Sequence, residues 1–331
     1  MDAVEVITSA RLHMGFYNFR DGDRAYGSIG AAIKEPRVRV IVSKAPQLEI
    51  VNETSIPVSD VVELVSKRLG IRGFKLIVKE AIPRHVGLGS TTQLALAIAQ
   101  GINKVYGLGF STRELALLLG RGLVSGIGIA AFELGGFIID SGRVIKNEKL
   151  ELPHTTSDLP YPVYRAKLPN NWYFVVIVPR TSKRVSEKEE EPITAVPREL
   201  DRESKLRLYR ILLYKLLPSI ATKDIRGFGQ AIYEIQRITG EYFSSYQEGI
   251  WCCRETEAIV DAMLRYGAYG VGQSSWGPVA YGIVDSSVKA RELYHRVLRD
   301  LEREGVEIEH AYITNTRNRG YLTRFLSENS P

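Results

Sequence analysis

Polar and apolar residues take turns in three early stretches of the chain, and that alternation predicts strands. Val4 to Thr8 is the first. In RVRVIVS, Val38, Val40 and Val42 alternate with arginines, and in FKLIVKEAI, Phe74, Leu76 and Val78 alternate with Lys75 and Lys79. This is the period of a half-buried strand. Leu94, Ile98, Ile102 and Val105 instead recur at helical spacing along an Ala-rich run, which predicts a helix. The stretch IPRHVGLGSTTQLALAIAQGI, Ile82 to Ile102, therefore joins a strand to a helix through a loop rich in Gly, Ser and Thr.

The second half begins after a Pro-punctuated polar stretch, KNEKLELPHTTSDLPYP, and opens on the apolar strand WYFVVIVP, Trp172 to Pro179. TSKRVSEKEEEPITAVPREL, Thr181 to Leu200, is charged and broken by prolines, which predicts a mobile surface loop. Helical patterns follow over Lys205 to Leu217, Phe228 to Thr239 and Glu255 to Tyr266. YGVGQSSWGPVAYGIVD, Tyr269 to Asp285, reads as a second Gly and Ser turn leading into a strand, and Val288 to Glu304 as a helix. The pattern is α+β, expected as two domains, residues 1–168 carrying the loop and residues 169–331. At 331 residues, 44% of them hydrophobic, the chain is long enough to bury a sizeable core.

The net charge of +6 with both signs mixed suits an anionic small substrate, and equally an RNA partner or a highly charged thermophile surface. No basic run is interleaved with aromatics, so no nucleic acid is expected. Cys252 and Cys253 are adjacent and the five histidines are scattered, which matches no zinc spacing. No apolar run approaches about 18 residues and the start lacks a signal-like segment, so the expectation is a soluble cytoplasmic protein without membrane contact, with a homodimer as a candidate assembly.

The loop carries the first candidate chemistry. Gly87 and Gly89 allow close backbone approach to a ligand, and Ser90, Thr91 and Thr92 offer hydroxyls. Open N–H groups and the dipole at the following helix start favour an anion. A Gly-rich turn that binds nothing is the alternative. No Lys follows the second Gly, so this is not a Walker A loop.

PRHVGLGSTT resembles the PxxxGLGSSxA loop of the GHMP kinase superfamily, and GVGQSSWGP lies where that superfamily has its C-terminal glycine motif. ARLHMG, YGSIGAAI, SGIGIAAFELGGFIID, ITAVPREL and GQSSWGP together resemble the β-ribofuranosylaminobenzene 5′-phosphate synthases, an archaeal family of the methanopterin pathway. The resemblance implies the two-domain GHMP kinase-like fold with the ligand in a cleft between domains. It also implies a decarboxylating phosphoribosyl transfer. 5-Phosphoribosyl 1-diphosphate condenses with 4-aminobenzoate or 4-hydroxybenzoate, releasing diphosphate and CO2 in the presence of Mg²⁺. An ATP-dependent small-molecule kinase is the alternative. The kinases place an Asp after Ser-Gly-x and a Glu upstream of it; this chain has Gly128 and Arg121 there, so phosphoryl transfer lacks two of its usual parts.

On that resemblance the loop residues Pro83, Gly87, Leu88, Gly89, Ser90, Thr91 and Thr92, with Tyr26, are candidates for substrate binding. Planar arginines pair with carboxylate or phosphate, which nominates Arg11, Arg24 and Arg121. His13 is a candidate donor, acid or base, and His85 a candidate phosphate contact. Gln273, Ser274, Ser275 and Trp276 combine a polar rim with an aromatic plate for a benzoate ring. Arg11, His13 and Arg121 are the catalytic candidates. For Mg²⁺ Glu133 leads, ahead of Asp140, Asp21 and Asp23. Thr181, Ser182, Lys183 and Arg184 are expected to close over phosphates. Each of these side chains has a structural alternative: surface, core or linker.

Overall fold

The computed structural model describes residues 3–181, 187–247 and 249–326. Ser182, Lys183 and Arg184 lie outside the described residues.

Two long strands, β1 (Ala3–Asp21) and β2 (Arg24–Lys44), form a hairpin across a turn with Gly22 at positive φ. The expected strand at Val4 to Thr8 is thus the first quarter of a much longer one. The alternation is obscured because β1 shifts register between Ser9 and Arg11, again between His13 and Phe16, and once more before Asn18. Each bulge breaks the two-residue period and re-aims side chains. After β3 (Glu49–Asn52) and α1 (Ser59–Leu69) come β4 (Phe74–Glu80), the glycine loop and α2 (Ser90–Tyr106), as the pattern predicts. Helices α3 (Thr112–Leu118) and α4 (Ile127–Glu133) and strands β5 (Phe137–Asp140), β6 (Arg143–Val144) and β7 (Pro162–Ala166) complete the first half.

The second half runs β8 (Tyr173–Pro179), α5 (Glu187–Thr194), α6 (Arg202–Ile211), α7 (Leu217–Thr222), α8 (Ile225–Phe243), α9 (Arg254–Arg265), β9 (Gly270–Gln273), β10 (Ala280–Val284), α10 (Ser287–Arg303), β11 (Ile308–Asn315) and β12 (Leu322–Leu326). The segment expected as a loop over 181–200 contains α5 instead. Its Glu and Lys residues are good helix formers, and Pro192 sits inside the helix rather than ending it. The pattern over 205–217 belongs to a helical run from Arg202 to Thr222, with a five-residue π segment at Leu212–Leu216.

One sheet has the order β12-β1-β2-β4-β3, with β5 and β6 on β2 and β7 on β5. The other is β11-β8-β10-β9. The second sheet starts at β8, but β12 crosses back and pairs antiparallel with β1 from Ala3 to Ile7, so the last strand of residues 169–331 completes the first sheet. Helix α2 lies close on the hairpin: a Cβ on Gly101 would stand 2.5 Å from Val42 Cγ2.

The core runs through both halves. Buried Phe228 of α8 has its ring centroid 5.6 Å from Phe137 of β5 and 5.0 Å from Trp172 before β8. Phe228→Ala should therefore lose about 3–5 kcal/mol. Urea unfolding measures this, and a loss under about 1 kcal/mol would show that the halves are not held through this contact.

Candidate functional site

A cavity of about 250 Å³ opens between the halves. Its first wall carries Arg11, Thr92, the backbone turn at residues 120–125, and Arg143. Its second wall carries Gln236, Thr239 and Phe243 of α8, together with Trp251, Gln273 and Trp276. Helix α5 contributes Glu190 and Thr194.

The walls are joined at the two glycine turns. Gly87 and Gly89 both have positive φ, and Gly89 starts α2 without a side-chain cap, leaving first-turn N–H groups open. The Ser274 hydroxyl donates to the Gly87 carbonyl at 2.6 Å and accepts from the His13 N–H at 2.9 Å. The Val279 N–H donates to the Val86 carbonyl at 3.2 Å, and the Arg11 guanidinium also donates to the Gly87 carbonyl. A Cβ on Gly87 would lie 2.1 Å from the Ser274 carbonyl oxygen. Gly87 therefore allows two turns of the protein to meet.

Arg11 lies over Gly89, with its Cγ, Nε and Cζ 3.2 Å from where a Cβ would be. Burial pulls its pKa down to about 10, with Glu190 acting in the opposite sense, so it keeps its charge at neutral pH. The β1 bulge places His13 and Phe16 on the cavity, the chain turning at Gly15 with φ of 106°. His13 is buried, its ring centroid 4.7 Å from that of Phe16. Burial, and then the Arg11 charge, push its pKa down to about 3, so His13 is neutral near pH 7. Its Nδ1 accepts from the Gly15 N–H at 3.4 Å, and its Nε2 has no partner.

Arg121 is nearly buried on the first wall, its Nε donating to the Leu119 carbonyl at 3.1 Å. Arg143, which the sequence reading did not single out, is buried beside it. Its guanidinium donates to the carbonyls of Leu123 and Glu151, and burial lowers its pKa. It follows the quoted motif by three residues, and only its flanking serine and glycine hinted at it. Phe16, Gln236, Thr239, Phe243 and Trp251 were missed as well: Gln236 and Thr239 read as ordinary positions of the helix over Phe228 to Thr239, and Phe16, Phe243 and Trp251 lay outside every predicted element.

Other candidates fall elsewhere. Of the loop, Thr92 lines the cavity, whereas Pro83, Leu88 and Ser90 are buried and Thr91 is half-buried away from it. Tyr26 is fully buried among Phe16 and Phe243, outside the cavity lining, with φ of 58°. Ser274 is fully buried with its hydroxyl committed to the turns, whereas Gln273, Ser275 and Trp276 do line the cavity. Arg24 and His85 are exposed.

Glu133 ends α4 away from the cavity, burial raising its pKa. Asp140 accepts N–H bonds from Ser28, Gly126 and Gly142 at 2.7–2.9 Å. Its pKa, raised by burial against those bonds, is about 6, and it anchors the turn before α4. Asp21 pairs with Lys205 and Tyr209, and Asp23 is exposed. Among the described residues, the acidic residues that line the cavity are Glu151 and Glu190. A Cβ on Gly128 would meet Thr92 at 3.2 Å, so an acid there would crowd the start of α2.

No helix among the described residues is long and apolar enough to cross a membrane. Residues 56–136 match the family model for the GHMP kinase N-terminal domain and residues 216–303 that for the C-terminal domain. The chain is similar to β-ribofuranosylphenol 5′-phosphate synthase from Methanothermobacter thermautotrophicus, at 31% identity over 84% of this chain and 88% of that one. It is also similar to the protein of the same name from Archaeoglobus fulgidus, at 31% identity over 95% and 97%. Among solved structures, homoserine kinase from Cytophaga hutchinsonii superposes with a TM-score of 0.67 at 17% identity, over 98% of each chain. Mevalonate kinase from L. major gives 0.65 at 15%, over 95% of this chain and 96% of that one; these two establish the fold alone. The chain belongs to the β-ribofuranosylphenol 5′-phosphate synthase family, built on the GHMP kinase fold.

Proposed function

We propose that the cavity condenses 5-phosphoribosyl 1-diphosphate with 4-hydroxybenzoate or 4-aminobenzoate, releasing diphosphate and CO2, in the biosynthesis of a tetrahydromethanopterin-type cofactor in the cytoplasm. The observation that carries this reading is the pairing of one wall bearing Arg11, Arg121 and Arg143 with a facing wall of Phe243, Trp251 and Trp276. Arginines hold phosphate and carboxylate groups, and the aromatic side chains take a benzoate ring.

The diphosphate sits against Arg11, Thr92 and the open N–H groups that begin α2, where negative charge grows as it leaves. As its bond to ribose C1 breaks, the ring carbon bearing the carboxylate attacks C1. The electrons of the carbon–carboxylate bond then return to the ring as CO2 departs. No ring proton has to be removed, which suits a site whose histidine is a neutral donor.

Mg²⁺ takes oxygen ligands, usually one or two carboxylates plus substrate phosphate. The cavity carboxylates Glu190 and Glu151, rather than Glu133, fit that role. The ion would supply charge neutralisation on the leaving diphosphate.

4-Hydroxybenzoate labelled in its carboxyl carbon should release labelled CO2 only with phosphoribosyl diphosphate present, one per diphosphate formed. Label retained while ATP is consumed and an alcohol phosphorylated would replace this reading with the kinase. Arg121→Lys keeps the charge and loses the planar fork, so kcat/KM should fall about tenfold to a hundredfold, about 1.4–2.7 kcal/mol. Parent-like kinetics in Arg121→Ala would make Arg121 structural.

A further inference from the structure

We propose that Gln236 and Thr239 of α8, with His13, form a pocket that reads the group para to the acceptor's carboxylate and selects oxygen there over an amine. This rests on the reaction proposed above. All three side chains line the cavity alongside Phe16, Phe243 and Trp276.

Each of the three receives one backbone N–H. The Gln273 N–H donates to Gln236 Oε1 at 3.0 Å, the Phe16 N–H to Thr239 Oγ1 at 3.2 Å, and the Gly15 N–H to His13 Nδ1 at 3.4 Å. A backbone N–H can only donate, so it fixes which atom of its partner accepts. The Gln236 amide must turn its NH2 away from Gln273. The Thr239 hydroxyl keeps its proton to give. The neutral His13 ring carries its proton on Nε2, which is buried without a partner. What the three side chains have left to offer is hydrogen-bond donors, none of them charged. Phosphate and carboxylate find the guanidinium groups of Arg11, Arg121 and Arg143 in the same cavity, so a neutral donor set fits the remaining end of the acceptor.

The reaction sharpens the choice. When 4-hydroxybenzoate attacks C1 as its phenolate, electrons leave the oxygen, and the ring becomes a cyclohexadienone whose para carbonyl accepts hydrogen bonds. When 4-aminobenzoate attacks, the nitrogen becomes an iminium whose two N–H bonds only donate. Donors facing the first are satisfied, and donors facing the second are not. Loss of CO2 then returns the electron pair to the ring and restores phenolate or amine.

The test is the ratio of kcat/KM for 4-hydroxybenzoate to that for 4-aminobenzoate, with phosphoribosyl diphosphate saturating. The parent should favour the hydroxy acid at least tenfold. Gln236→Glu keeps the size and an oxygen for the Gln273 N–H while turning an acceptor toward the cavity, and should cut the ratio at least tenfold. Thr239→Ala should lower it too, and Thr239→Ser should keep it. A Gln236→Glu variant that weakens both acids equally overturns the proposal. Calorimetric binding of the two acids runs in parallel. If neither acid releases CO2, the reaction reading fails. A binding preference for the hydroxy acid that collapses in Gln236→Glu then still supports the pocket, and an unaltered preference overturns it.

Discussion

The Ser274 hydroxyl holds the site together. It is fully buried, donates to the carbonyl of Gly87 and accepts from the N–H of His13. Three segments far apart in sequence, the β1 bulge, the loop before α2 and the turn after β9, meet on one oxygen atom. A second bond, from Val279 N–H to the Val86 carbonyl, joins the same two turns. Because Gly87 has no side chain, the turns approach to a distance that a Cβ would forbid. The cavity lies where this junction brings arginines of one half near aromatic side chains of the other.

The junction also explains how a kinase fold comes to suit different chemistry. The open N–H groups at the start of α2 remain, so an anion is still favoured there. Around them, the acid expected of a kinase is Gly128, packed against Thr92, and the position upstream is Arg121. Arg11 lies over Gly89 and keeps its charge, while His13 beside it is held neutral by burial and by that same charge. Positive charge and uncharged donors thus stand together at the start of α2, the arrangement on which the proposed stabilisation of a departing diphosphate rests.

Much of the fold was legible because the pattern was regular. The alternation over Phe74 to Val78 and the helical spacing from Leu94 to Val105 gave β4, α2 and the loop between them. The length of β1 was hidden, since bulges at Ser9, His13 and Phe16 break the alternation where it bends toward the site. Helix α5 was hidden for another reason: a charged run with Pro192 reads as solvent-exposed loop, and only its packing over the cavity at Glu190 and Thr194 distinguishes it. In the site, Arg11, His13, Arg121 and Trp276 stood out because they sit in motifs. Gln236, Thr239 and Arg143 did not, since their importance comes from which backbone N–H or carbonyl they meet across the fold. Tyr26 and Ser274 illustrate the converse, residues in quoted motifs that serve the core and the junction.

The most direct test of this account is calorimetric titration of phosphoribosyl diphosphate into Ser274→Ala, which deletes one oxygen and leaves the Arg11 bond to Gly87 in place. If the hydroxyl aligns the walls, the variant should remain folded and its Kd should rise at least tenfold, about 1.4 kcal/mol or more. A folded variant with unchanged affinity would contradict it, and would mean that the two glycine turns hold the cavity without the Ser274 hydroxyl.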